Sequence, residues 1–126
     1  MTDTDRELLE WAAKAVGFQI IRHHDGIIRH YDCAAVINDN GHWQYWNPRD
    51  NSCDSFYLLV RLGMRLQFFS LDTVEGVPGK HLITVSWAPG GEKNRTEDVL
   101  ELSADPQGAA RYAVLRAAAE IGRRMA

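Results

Sequence analysis

The chain has 126 residues, of which 45% are hydrophobic and 25% are charged. This length is that of one domain, and the balance is that of an ordinary globular protein, not of a disordered tail or a disulfide scaffold. Fourteen Lys and Arg against seventeen Asp and Glu give a formal net charge of −3, which disfavours duplex nucleic acid as a partner because phosphate binding requires a basic surface.

Three further features of the sequence bear on location and partners. The longest stretch without a formal charge is residues 81–91, far short of the roughly 20 apolar residues that span a membrane. No basic start leads into an apolar run, as it does in a secretory signal. We therefore expect a cytoplasmic protein with no membrane partner. The basic residues are scattered, apart from a local basic face on the last predicted helix formed by Arg111, Arg116, Arg123 and Arg124.

The first predicted element is a helix from Thr4 to Val16. Thr4 and Glu7 have the spacing of a capping box, apolar residues then recur at three- and four-residue steps, and Gly17 follows as a left-handed stop. A strand, a turn and a second strand are predicted next, over residues 18–22, 23–26 and 27–37.

The clearest hairpin signal is the turn over residues 38–41, because its Asn40-Gly41 pair accepts the positive φ of a tight hairpin. The return strand covers residues 42–46 and ends at Pro48, since proline cannot donate to a ladder. The remaining predicted elements are a helix, three strands and a last helix capped at Asp105, over residues 55–62, 64–71, 81–87, 95–102 and 106–125.

This order predicts the α+β class. We expect one layered domain over residues 1–126, with a mixed or mainly antiparallel sheet of about five strands packed by three helices as an α/β/α sandwich.

Two segments of the chain resemble the phage ABA-sandwich domain proteins. The first begins at Trp46-Asn47-Pro48 and ends in FYLLVRLGM at residues 56–64, and the second is AVLRAAA at residues 113–119. Members of this family are small phage and prophage proteins of unestablished function that begin with a short acidic helix, as this chain does. The resemblance implies an α/β/α sandwich and a protein made in an infected or lysogenic bacterium. It implies no catalytic residue.

Aromatic residues in the return strand are the main candidates for binding contacts, because they occur on both of its faces. If both faces are covered, these rings belong to the core. If one face is uncovered, it would expose Trp46 beside His42 and Gln44, as a protein-binding surface or a base-stacking platform. The acidic balance favours a protein partner of unknown identity, and a homo-oligomer stays open. The predicted binding residues are Trp43, Tyr45, Trp46, Arg49, Asp50 and Asp54.

A small metal-dependent hydrolase is the first alternative. His23, His24, His30 and Asp32 combine imidazole and carboxylate groups, which are zinc ligands. The spacing does not favour a site, since adjacent histidines of a strand point to opposite faces and no zinc-hydrolase motif is present. We therefore predict a solvated turn here, with no metal and no cofactor.

The sequence thus predicts a non-enzymatic accessory protein that binds another macromolecule. The phage resemblance extends this interpretation to inhibition of a host factor or a host defence system. The second alternative is a single-stranded nucleic-acid binder that uses the aromatic hairpin.

Overall fold

The computed structural model describes residues 3–23, 26–27, 29–30, 33–70, 80–101 and 105–125. Three α-helices lie in these ranges, α1 (Asp3–Ala15), α2 (Ser52–Arg61) and α3 (Pro106–Arg124), with a short 3₁₀ helix at Glu92–Asn94. The α+β class and the three predicted helices are confirmed. No helix within these ranges combines the length and the apolar character that crossing a bilayer requires.

The strands of the described ranges all pair in antiparallel fashion. They are β1 (Gln19–Ile20), β2 (Arg22–His23), β3 (Gly26–Ile27), β4 (Arg29–His30), β5 (Cys33–Ile37), β6 (Trp43–Trp46), β7 (Arg65–Ser70), β8 (Lys80–Ser86) and β9 (Arg95–Glu101). Residues 27–37, predicted to hold a strand, contain β5, and β4 within the same range pairs antiparallel with it.

Strand β5 is the centre of the first sheet. Along one edge it pairs with β6, from Ala34 opposite Trp46 to Ile37 opposite Trp43. Its other edge is shared by β1 and β4, while β2 and β3 pair with each other. The second sheet has the order β7-β8-β9. Within the described part of the chain β6 is thus an edge strand.

The predicted hairpin between β5 and β6 is confirmed. The backbone N–H of Gly41 donates to the carbonyl of Asn38 at 3.0 Å, and Gly41 takes the positive φ of 82° that glycine accepts without strain. The side-chain Oδ1 of Asn38 accepts the backbone N–H groups of Asn40 and His42. Asn38 therefore fixes the turn and, with it, the register that decides which side chains of β6 face the core.

Side-chain caps begin the second and third helices. Asn51 accepts the backbone N–H of Asp54, so α2 begins at Ser52, three residues before the predicted start. Asp105 accepts the backbone N–H of Gly108, and Pro106 occupies the first position of α3 as predicted.

The core lies where α1 packs along α3 and both helices meet the sheets. The close approach of the two helices depends on Gly122, because a Cβ atom there would lie 1.8 Å from the carbonyl oxygen of Trp11. The largest fully buried side chains are Trp46, Leu9, Leu58, Ile83, Leu115, Val36, Val85, Val114 and Pro48.

Candidate functional site

The aromatic side chains of β6 lie on opposite faces of the first sheet. Trp43 is 62% exposed and Tyr45 44% exposed, whereas Trp46 is 1% exposed. The expectation that an uncovered face would expose Trp46 is therefore wrong, and so is the core assignment of Trp43 and Tyr45. Trp46 lies opposite the fully buried Ala34 and packs against Phe18 of the core, so its face of β6 is the covered one.

Trp43 and Tyr45 are in contact with each other on the exposed side of β6. Their rings meet edge to face, with centroids 5.2 Å apart and planes at 83°. Ile37 lies opposite Trp43 and Ala35 lies opposite Tyr45, so the same side of the sheet carries four apolar or aromatic residues. We call the exposed pair of Trp43 and Tyr45 the aromatic face.

Trp46 belongs to the core. Its ring meets that of Phe18 at a centroid distance of 5.5 Å and an interplanar angle of 66°, and Phe18 stacks in turn on Tyr57 at 5.6 Å. The Nε1 atom of Trp46 is buried and has no hydrogen-bond partner within the described part of the chain. Packing, and not contact with a partner, accounts for this side chain.

Arg49 holds the loop after β6 against the helices. Its Nη1 lies 3.1 Å from Oδ2 of Asp5 in α1, and its Nε lies 3.7 Å from Oδ1 of Asp50. Its backbone carbonyl accepts a hydrogen bond from Nε of Arg111 in α3 at 3.0 Å. The predicted binding residue Arg49 is therefore engaged inside the molecule at both its side chain and its backbone.

The two acidic residues of the predicted site stabilise the start of α2. Asp50 is exposed, and its Oδ2 accepts a hydrogen bond from the side chain of Asn47. Oδ2 of Asp54 accepts the backbone N–H of Asn47 at 2.9 Å. Partial burial raises the pKa of the Asp54 carboxyl, and the hydrogen bond from Asn47 offsets part of that rise.

Asp54 and Trp46 line a cleft of about 280 Å³, together with Asp39 and Tyr57. The Tyr57 hydroxyl donates to Oδ2 of Asp39 at 3.3 Å. Trp46 points away from the aromatic face, so this cleft lies on the other side of β6. The six predicted binding residues are thus divided, and only Trp43 and Tyr45 form a shared exposed surface.

The histidine cluster falls largely outside the described residues. His24 and Asp32 lie outside them altogether, and for His23 and His30 the structure describes the backbone, paired with Gly26 and Cys33. Within the described ranges no three His, Cys, Asp or Glu side chains are grouped so as to hold a metal ion. The hydrolase alternative stays a prediction.

Two surface features were missed by the sequence reasoning. Phe56 and Val60, four residues apart on α2, are each 63% exposed. A second cleft, of about 350 Å³, is lined by arginines of β9 and α3. The spacing of Arg116 and Arg123 signalled the α3 side of this cleft, but nothing local linked that helix to Arg95.

Comparison of the chain with protein-family models, curated proteins and solved structures found no match. The resemblance to the phage ABA-sandwich proteins therefore stays a prediction, and function has to be inferred from geometry.

Proposed function

We propose that this protein acts by binding another protein through its aromatic face. The observation that carries the proposal is that Trp43 and Tyr45 are exposed while in contact with each other. Tryptophan and tyrosine are the side chains that most often dominate the energy of protein interfaces. Each brings a large contact area at a small cost in side-chain entropy.

The position of the aromatic face on the sheet supports the same proposal. Trp43 and Tyr45 belong to β6, which pairs with β5 alone among the described residues. An edge strand offers unpaired backbone groups to an added strand, while its alternate side chains provide specificity. A partner segment can therefore combine main-chain pairing along β6 with contacts to the two rings.

The geometry and charge of the surroundings favour a protein over a single-stranded nucleic acid. Proteins that bind single-stranded nucleic acids stack successive bases on aromatic rings that lie beside a positively charged groove. Here the two ring planes are nearly perpendicular, at 83°. The loop after β6 carries the exposed Asp50, and the whole chain has a net charge of −3. A protein partner with an apolar contact surface fits the aromatic face better.

The resemblance to phage ABA-sandwich proteins extends the proposal. It would make this chain a phage or prophage accessory protein and its partner a host protein, including a component of a defence system. No catalytic set is needed for such an activity.

The experiment compares three baits in a bacterial lysate and then with the purified partner. These are the unaltered chain, the double variant Trp43→Ser/Tyr45→Ser and the control Phe56→Ser/Val60→Ser. The control removes two apolar side chains of α2 that are at least as exposed as Trp43 and Tyr45. We expect a partner that the unaltered and control chains bind with equal affinity and that Trp43→Ser/Tyr45→Ser loses.

Two outcomes would overturn the proposal. One is a partner whose affinity falls as much in the control as in Trp43→Ser/Tyr45→Ser. The other is salt-sensitive quenching of tryptophan fluorescence by a single-stranded oligonucleotide, lost in Trp43→Ser/Tyr45→Ser, which would assign the face to nucleic acid.

A further inference from the structure

We propose that a cleft between α1, β9 and α3 binds a phosphate group, either free or as a phosphate monoester. The cleft has a volume of about 350 Å³, which holds a phosphate group and part of the molecule that carries it. The polar residues that line it are Arg95, Thr96, Arg116, Glu120, Arg123 and Arg124. This proposal shares no residue with the aromatic face and does not depend on the proposed function.

Two of the arginines are held in place by one carboxylate and by tryptophan rings. Glu120 pairs with Nη1 of Arg123 through one oxygen at 3.1 Å and with Nε of Arg124 through the other at 3.0 Å. The guanidinium carbon of Arg123 lies 6.0 Å from the ring centre of Trp11, and that of Arg124 lies 5.5 Å from that of Trp87. Cation–π contact of this kind orients a guanidinium.

The other two arginines are anchored to β9. Arg116 of α3 forms an ion pair with Asp98, and Arg95 pairs with Glu97 at 3.1 Å. A guanidinium has five N–H donors in a fixed fork, and each of these contacts uses one of them. The remaining donors are available to a ligand, and the ion pairs restrict the side chains before it arrives.

The charge of the lining selects an anion. Among the charged residues that line the cleft, four are arginines and one is Glu120, which is an excess of three positive charges. When the ion-pair partners Glu97 and Asp98 are included, the network still has an excess of one positive charge. The C-terminal end of α3 contributes roughly half a negative charge, which is smaller than either excess. In a chain of net charge −3, this concentration of arginine distinguishes the cleft.

Thr96 gives a second and independent indication of a ligand. It lines the cleft, and its Oγ1 is buried with no hydrogen-bond partner within the described part of the chain. A buried hydroxyl without a partner is costly, and a phosphate oxygen would accept its proton once the side chain turns toward the cleft. Guanidinium forks match phosphate oxygens in bidentate pairs, so arginines from two elements together with Thr96 suit a tetrahedral anion.

The experiment titrates the full chain with inorganic phosphate in a calorimeter, against sodium chloride at the same ionic strength. Three variants are compared, namely Thr96→Val, Arg95→Gln/Arg123→Gln and the control Arg61→Gln/Arg65→Gln. The control removes two exposed arginines that do not line the cleft. Adenosine monophosphate and a DNA duplex serve as further probes.

We expect saturable binding of phosphate that chloride does not reproduce. Thr96→Val should weaken phosphate binding about tenfold or more, because it removes a hydrogen bond to a charged group. The free energy of unfolding of this variant in urea should not fall. Arg95→Gln/Arg123→Gln should abolish phosphate binding, and the control should retain it. Tighter binding of adenosine monophosphate than of inorganic phosphate identifies a phosphate monoester as the ligand, and equal or weaker binding identifies free phosphate.

Equal heats from phosphate and chloride, unchanged binding in Thr96→Val, or equal losses in the two arginine double variants would each overturn the proposal. So would tighter binding of the duplex than of both small phosphates with a steep dependence on salt, which would assign the cleft to a nucleic-acid backbone.

Discussion

Nη1 of Arg49 lies 3.1 Å from Oδ2 of Asp5, and this ion pair ties the loop after β6 to the start of α1. The two residues are forty-four positions apart in the chain. Asp5 is buried, and the Arg49 side chain is 35% exposed. Because little solvent surrounds the Asp5 carboxylate, this charge gains more free energy from an ion pair than an exposed carboxylate does.

Arg49→Met is therefore expected to lower the free energy of unfolding. The methionine keeps most of the aliphatic packing and removes the charge, so about 1–3 kcal/mol should be lost with the ion pair. Urea unfolding followed by circular dichroism measures this. A double-mutant cycle with Asp5→Asn isolates the pair, and Arg61→Met provides an exposed control. Additive effects of the Arg49 and Asp5 changes would show that the two side chains do not stabilise each other.

Asp54 is expected to lower the free energy of unfolding as the pH rises, whereas a salt-bridged carboxylate raises it. Burial raises the pKa of its carboxyl above the usual value of 3.8. The folded protein thus holds this proton more tightly than the unfolded chain does. The contribution of Asp54 to the free energy of unfolding is then fully present below pH 3.8 and is lost as the pH rises through the raised pKa.

The test compares the original chain with Asp54→Asn, whose amide oxygen can still accept the backbone N–H of Asn47. Urea unfolding is measured on either side of the raised pKa, at about pH 3.5 and about pH 7. The free energy of unfolding of the original chain minus that of Asp54→Asn should be smaller at about pH 7 than at about pH 3.5. A relative stability that is constant, or that rises with pH, contradicts the assignment.

Trp46 and Trp43 should differ sharply in their effect on stability. Trp46→Ala removes a fully buried ring from contact with Phe18 and should cost about 3–5 kcal/mol. Trp43→Ala removes an exposed ring that contacts Tyr45 and should cost at most about 1 kcal/mol. Circular dichroism in urea is the suitable readout, because both changes alter fluorescence. Similar costs for the two variants would refute the assignment of faces.

The contrast between these two tryptophans shows where sequence reasoning succeeded and where it failed. Helix starts such as Asp105 and the turn at Gly41 depend on interactions within a few residues, so local patterns predicted them. The face of β6 that meets the core depends on its pairing with β5. In the segment Trp-Gln-Tyr-Trp aromatic rings occur on both faces of the strand. The alternation of apolar and polar residues therefore could not predict which face meets the core.

Residues of the predicted binding site and of the phosphate cleft show the same contrast between local and long-range interactions. The ion-pair partner of Arg49 is Asp5 of α1, far from it in the sequence, and no residue near Arg49 in the chain indicates this pairing. The phosphate cleft joins Arg95 of β9 to Arg123 of α3, which only the packing of α3 against the second sheet brings together. Contacts of this range are fixed by tertiary structure and leave no local signal.

Gly122 offers a test in which the sign of the effect distinguishes two explanations. In the interior of a helix, replacing glycine with alanine stabilises by about 1 kcal/mol through propensity alone. Here the new Cβ would lie 1.8 Å from the carbonyl oxygen of Trp11 and 2.7 Å from its carbonyl carbon. Backbone atoms cannot rotate away as a flexible side chain can, so α1 and α3 would have to separate.

Gly122→Ala is accordingly expected to destabilise the fold by at least about 2 kcal/mol, the usual scale for overpacking. Gly90→Ala, outside the helices, controls for the substitution without a clash, because its Cβ would meet nothing within 4 Å and its backbone carries no positive φ. Thermal and urea unfolding of both variants give the comparison. An increase in stability for Gly122→Ala would mean that α1 and α3 pack less closely at this point than the structure places them.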